Sequence, residues 1–284
     1  LPGSLFLFDE KVVSQNTGRD IDASRERPGT QRVALILYRY PEWKGELVAM
    51  VGMIFARGGS KGIPNKNLQV VAGKPLITRA IETGQATAGL DRLIVSTDSD
   101  EIAEIALAAG AEIPFMRPNH LASDTSAEWL SWRHALVFLR ETDGALPNAM
   151  VSIPTTSPLR LASDVDACIT AYQQGSWDAI VTVTEAQRSP YFNMVSINPS
   201  GQASIAVEPS TNYMRRQDAP QLYDMCTVAY VVRGEFVLQS ESLWSGRVGA
   251  VVIPQERALD IDTPFDLRLA QLLLGDQTAP KSGP

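Results

Sequence analysis

Between residues 50 and 67 an apolar run stops in a loop that mixes glycine with positive charge. This junction restricts the chain more than any other stretch. Met50-Val-Gly-Met-Ile-Phe-Ala56 reads as a buried strand. Arg57, Gly58, Gly59, Ser60, Lys61, Gly62, Lys66 and Asn67 follow within a few residues. The glycines permit a tight turn and leave backbone N–H groups open to an anion. A cationic, donor-rich loop at the carboxyl end of a strand is how α/β proteins hold phosphate. It is not a Walker loop, which requires Gly-Lys-Ser/Thr after four spacer residues, and G-x-G-x-x-G is absent. Taken alone, the loop reads equally as a surface turn rich in Gly and Lys.

After this junction the pattern alternates strand and helix. Helical spacing covers residues 74–88, and 92–97 reads as a second buried strand. Asp98 or Ser99 caps a helix over 100–109, which Gly110 ends. A short strand over 111–115 follows. Thr125 and Glu128 are spaced as a capping box for a helix through Leu139. Strands are predicted at 149–153, 178–184, 228–232 and 249–253, with a helix from Ser163 to about Gln174 between the first two. Residues 189–222 lose periodicity. Thr263, Pro264 and Asp266 start a last helix. Repeated β-α units imply an α/β fold of three layers, a mostly parallel sheet covered on both faces.

Composition excludes several classes. With 284 residues, 44% apolar and 20% charged, the chain suffices for one α/β domain with a small appendage. A net charge of −7 argues against a nucleic-acid surface. Cys168 and Cys226 lack metal-ligand spacing and cannot form a disulfide framework. With only His120 and His134 present, a His-based zinc site or Ser-His-Asp triad has little material, and His134 reads as a core residue. No apolar run reaches the roughly 20 residues of a membrane span. Leu5-Phe-Leu-Phe8 is too short for a secretory signal and lacks a basic leader, so a cytoplasmic, reducing location is expected. Residues 1–49 mix charges of both signs and contain no methionine. The expectation is that Met50 or Met53 is the natural start and 1–49 an extension outside the fold; the other reading is a small, loosely packed N-terminal segment. The tail from 276 to 284 is expected to fray.

Ala56-Arg-Gly-Gly-Ser-Lys-Gly62 followed by Lys66-Asn-Leu68 resembles the signature of the acylneuraminate cytidylyltransferase family, the CMP-sialic acid synthetases. Arg117-Pro-x-x-Leu-Ala-Ser-Asp-Thr125, Thr156-Ser-Pro-Leu-Arg160 and Leu259-Asp-Ile-Asp-Thr-Pro-Phe-Asp-Leu267 extend the resemblance over residues 53–272. It implies a sugar-nucleotidyltransferase fold of GT-A or Rossmann-like type over 50–275. It also implies a small arm at 189–224 that exchanges between the subunits of a homodimer. By the same resemblance, Arg57 and Lys66 contact a nucleoside triphosphate with the rest of the loop, Ala56 to Lys61, around it. Asn67 lies near the cytosine, Arg117 beside base and ribose with Ser126 in reach, and Thr156 and Ser157 near the sugar. Arg216 and Gln217 meet the sugar carboxylate, with Tyr223 alongside.

Two acids spaced as Asp260 and Asp262 are point to one side of an extended segment. Hard oxygen donors facing one spot suit Mg2+ when substrate phosphates complete the shell. Capping accounts for Thr263 and Asp266 but not for Asp260. Bland readings stand beside the others: helix capping for Asp98, a surface ion pair for Arg117, a Pro-rich turn at 154–160, and an ordinary loop at 213–224.

The expected reaction takes CTP and a sialic-acid-like nonulosonate to the CMP-sugar and pyrophosphate, with Arg57, Lys66, Asp260 and Asp262 as catalytic groups. The chain departs from the sialic acid enzymes at Pro154 and Thr155, where Gln-Pro is usual, and at Cys226 and Thr227, where Asn-Gly is usual. The sugar therefore stays open among sialic, legionaminic, pseudaminic and Kdo-type acids. A non-catalytic nucleotide-binding module of the same fold is the reading from a different class.

Overall fold

β1 (Met50–Phe55) is buried between two neighbouring strands of the main sheet. Its side chains alternate, Met50 and Ile54 entering one apolar core and Val51 and Met53 another. A strand buried on both faces in this way requires helices above and below it. The computed structural model describes residues 50–208, 213, 215 and 218–276. The expected extension at 1–49, the expected carboxylate contacts Arg216 and Gln217, and the tail beyond 276 lie outside the described residues.

The remaining elements are β2 (Val70–Val71), β3 (Lys74–Pro75), α1 (Leu76–Ala86), β4 (Arg92–Ser96), α2 (Asp100–Ala108), α3 (Glu128–Asp143), β5 (Ala149–Ser152) and α4 (Ala162–Gln174). They continue with β6 (Ala179–Glu185), β7 (Val195–Ile197), β8 (Ala203–Ile205), β9 (Tyr223–Arg233), α5 (Gly234–Gln239), β10 (Val248–Val252) and α6 (Pro264–Asp276). Among the described residues the main sheet has the order β10-β6-β9-β5-β1-β4. β1 pairs in parallel with β4 and β5, and β10 with β6, whereas β9 runs antiparallel between β5 and β6. The α/β, mostly parallel architecture follows the sequence reading.

Ile77, Ile81, Ile102, Val165 and Ile169 from α1, α2 and α4 cover one face. Trp132, Leu136, Leu139, Phe236 and Val237 from α3 and α5 cover the other. A third cluster joins Ile63, Val71, Leu76, Ile261 and Ala270, and it ties the glycine loop to the segment before α6.

Local expectations failed in four places. Residues 111–115 form only an isolated bridge between Glu112 and Ile94. The Thr125–Glu128 capping box is absent: α3 begins at Glu128 after Ala127, and the Glu128 carboxylate accepts from Trp132 Nε1 at 3.1 Å. The aperiodic stretch at 189–222 contains the β7–β8 hairpin. β9 is 11 residues long and antiparallel, where a short strand was expected. By contrast, Thr263 and Asp266 cap α6 reciprocally: Thr263 N donates to Asp266 Oδ2 at 2.7 Å, and Asp266 N donates to Thr263 Oγ1 at 3.3 Å.

Candidate active site at the carboxyl edge of the sheet

β1 and β4 run parallel, so the loops after Phe55 and Ser96 leave the sheet at the same edge. The loop after β5 leaves there too. Open α/β sheets bind ligands at this edge. Gly58 N donates to Asp98 Oδ1 at 2.9 Å, so Asp98 holds the glycine loop, while Ser99 caps α2 through Ile102 N. A Cβ on Gly58 would stand 3.0 Å from Ser99 Cβ, so a side chain there would press on the start of α2. Ala56 is fully buried beneath the loop, and Gly59 and Lys61 are exposed on its outer side with Ser60 half-buried between them.

Asn67 is buried. Its amide donates to the Arg57 carbonyl at 2.8 Å and accepts from Thr155 Oγ1 at 2.5 Å. The residue expected near the base thus braces the loop. Arg57 and Lys61 both pair with Asp124, at 2.6 and 2.8 Å. Lys66 points the other way, donating to the Ile261 carbonyl at 2.9 Å and to Asp262 Oδ1 at 3.2 Å.

That last contact joins two stretches almost 200 residues apart. A Cβ on Gly62 would lie 2.9 Å from the Asp262 carbonyl, so the glycine loop and the acidic segment touch. Ile261 is fully buried between the two aspartates, and its N–H donates to the Thr156 carbonyl at 2.9 Å. Asp262 is solvent-exposed. Asp260 is partly buried. Its pKa is raised chiefly by burial and further by the charge of Asp262, against hydrogen bonds from the Thr156 and Thr227 hydroxyls. Asp260 Oδ1 is buried with no hydrogen-bond partner. A buried, unpartnered carboxylate oxygen beside a second carboxylate fits a divalent cation. Among the described residues no group of three or more His, Cys, Asp or Glu forms a complete metal cage. Two carboxylates completed by substrate oxygens is the usual arrangement for magnesium.

Thr156 and Ser157 both contact Thr227, at 3.3 and 3.0 Å. The departure at 227 therefore places a hydroxyl at the centre of this cluster. Arg160, also matched in the sequence motif, is buried and donates to the Val228 carbonyl at 2.9 Å.

Arg117 is 6% exposed, which removes the surface-ion-pair reading. Its Nε and Nη2 donate to Ser96, and its guanidinium lies 5.6 Å from the Phe55 ring centroid. Burial lowers its pKa to about 10, against the attraction of Asp98 and Glu128, so it stays charged at neutral pH. Ser126 Oγ is buried and unpartnered, before the start of α3. Tyr223, the first residue of β9, is exposed.

The loop, Arg117, Ser126 and the two aspartates thus gather along one edge. A family profile described as cytidylyltransferase matches residues 51–239. The chain belongs to the cytidylyltransferase family. The post-translational flagellin modification protein B of Campylobacter coli is 31% identical over 224 residues, covering 79% of this chain and 94% of that protein. The CMP-N,N'-diacetyllegionaminic acid synthase of Campylobacter jejuni is 31% identical, covering 78% and 93%. An N-acylneuraminate cytidylyltransferase of Streptococcus agalactiae is 29% identical, covering 75% of this chain and 50% of that protein. Among solved structures, a CMP-2-keto-3-deoxy-manno-octonic acid synthetase complexed with CTP superposes with a TM-score of 0.60 at 19% identity, covering 80% of this chain and 99% of that one. That likeness shows the nucleotidyltransferase fold.

Asp98 and Asp124 were given no role in the reaction by sequence. Asp98 carried a usable signal, an acid at a strand end in an open sheet, but helix capping was the favoured reading for it. For Asp124, no local spacing announces a partner 67 residues upstream.

Proposed function

We propose that this cytidylyltransferase moves a cytidylyl group from CTP to a sialic-acid-like nonulosonic acid. The products are the CMP-sugar and pyrophosphate. The observation that carries the reading is the contact between the glycine loop and the Asp260–Asp262 segment through Lys66 and Gly62. The family relatives named above support the substrate class.

In this reading the anomeric hydroxyl oxygen attacks the α-phosphorus and gives up its proton to solvent, and the bond from that phosphorus to the bridging β-phosphate oxygen breaks, releasing pyrophosphate. Arg57 and Lys66 stabilise charge on the departing pyrophosphate. Asp260 and Asp262 would hold a magnesium ion, which would withdraw charge from the α-phosphate and lower the pKa of the attacking hydroxyl. Arg117 lies beside the base and ribose, with Ser126 in reach. The Thr156 and Thr227 hydroxyls face the sugar, with the fully buried Ser157 behind them bonded to Thr227, and Arg216 with Gln217 receives its carboxylate. The β7–β8 hairpin exposes Val195, Ile197 and Ile205 and is read as the arm of a homodimer. No helix among the described residues is long and apolar enough to cross a membrane. Two free, buried thiols fit the reducing cytoplasm.

The test is pyrophosphate release from CTP and Mg2+ with a panel of acid sugars, followed by product analysis. Release with at least one nonulosonate is expected, and the sugar that works identifies the substrate. CTP binding without release from any acid sugar would establish the non-catalytic reading instead.

A further inference from the structure

Both oxygens of Asp124 are committed to the glycine loop, one to Arg57 Nη1 at 2.6 Å and the other to Lys61 Nζ at 2.8 Å. Arg57 Nη1 also donates to the Ala122 carbonyl at 3.4 Å. The third cation of the loop, Lys66, is held elsewhere by Asp262. A carboxylate thus sits between Arg57, which the proposed function assigns to phosphate, and Lys61 of the same loop. The two pairs keep Asp124 ionised, Lys61 contributing most and Arg57 next.

The pairs are partly exposed, with about a third of the Arg57 and Asp124 side chains and 80% of Lys61 open to solvent. Ion pairs screened by water are weak and exchange easily for a more highly charged anion. Asp124 also lies on a segment between a single 3-10 turn (Asn119–Leu121) and α3 that belongs to no strand or helix. It can move without breaking a sheet or a core.

We propose that Asp124 is an internal counter-anion: it occupies the place of substrate phosphates between Arg57 and Lys61, yields to the incoming triphosphate, and re-forms both pairs as pyrophosphate leaves. The inference rests on the reading that this loop binds the triphosphate. Asp124 touches no reacting atom and is a positioning residue. Its physical effect is competition: each pair formed with Asp124 is subtracted from the affinity for phosphate. The competition trades some nucleotide affinity for faster product exit.

The experiment measures CTP and inorganic pyrophosphate binding to the full chain by calorimetry, with Mg2+ present, for the wild type and Asp124→Asn. Product inhibition by pyrophosphate is followed in parallel. Both ligands are expected to bind about three- to tenfold more tightly to Asp124→Asn, as two exposed ion pairs would predict. Pyrophosphate inhibition tightens by the same factor, and Asp124→Glu returns both constants toward the wild type. In a Lys61→Met background the gain from Asp124→Asn shrinks, because one of the pairs is already gone. Structural damage only weakens binding, so a gain separates the two. Equal or weaker binding in Asp124→Asn overturns the inference while leaving the phosphate site intact. An undiminished gain in the Lys61→Met background overturns it in favour of a through-space charge effect. Failure of the wild type to bind either ligand overturns the phosphate-site reading and this inference together.

Discussion

Asp260 concentrates the cost and the use of the site in one side chain. Burial, with Asp262 adding to it, raises its pKa above the ordinary aspartate value. Between the ordinary value and the raised one the native state holds a proton that the unfolded chain has released. Stability therefore falls as pH rises through that window, and the loss persists at neutral pH. Asp260→Asn removes the unfavourable charge, so the metal-free protein is expected to melt about 2 °C higher at pH 7 in a calorimetric scan. Turnover falls at least ~10²-fold, and stabilisation by added magnesium disappears. Retained pyrophosphate release in that variant would remove Asp260 from the mechanism. The pair Asp260 and Asp262 was legible because a spacing of two is a local geometric fact. Arg117 was legible as a residue but not as an environment. Nothing in the order of amino acids says that it folds under Ser96 and over Phe55, and those contacts make it a buried cation. Asn67 shows the same limit: its amide holds the Arg57 carbonyl, a partner that only the turn of the loop supplies.

At the scale of elements, the glycine loop and the segment before α6 work as one unit. Ile63 and Ile261 share an apolar cluster, and Gly62 fits against the Asp262 backbone. Gly62→Ala inserts a methyl carbon 2.9 Å from a backbone oxygen, closer than carbon atoms approach in folded proteins. The loop has to shift, at a cost of about 1–3 kcal/mol, which chemical denaturation would measure. Lys66 moves off Asp262 and kcat falls with it; an unchanged kcat would show that the contact is incidental. The two capping boxes show what local reading can do. Thr125–Glu128 and Thr263–Asp266 carry the same pattern, a hydroxyl followed three residues later by an acid. The second forms at the exposed start of α6, where Thr263 and Pro264 are open to solvent. The first does not, because the indole of Trp132 one turn along takes the Glu128 carboxylate and Arg117 attracts it. A propensity is realised only where no other partner, local or tertiary, competes for the same side chain.

For the whole molecule, the β7–β8 hairpin is the element that leaves its apolar side chains uncovered among the described residues. Val195 is 55% exposed and Ile197 69%, on a two-stranded ribbon with a short ladder. An isolated hairpin is marginal in water unless its apolar surface is covered. Ile197→Lys is expected to weaken self-association at least ~10-fold, read by sedimentation or light scattering, since a charge is costly inside a buried interface. A wild-type protein that remains monomeric at high concentration would refute the dimer. The amino-acid order by itself determined the α/β class, the strand–loop junction at the glycines and the two acids near the last helix. Each depends on spacing along the chain, where period and backbone geometry are fixed over a few residues. Tertiary structure alone decided that β9 runs antiparallel between β5 and β6, that Asp98 and Asp124 hold the glycine loop, and that Lys66 reaches Asp262. Those partners are separated by tens to hundreds of residues, and packing the helices over both faces of one sheet is what brings them within hydrogen-bonding distance.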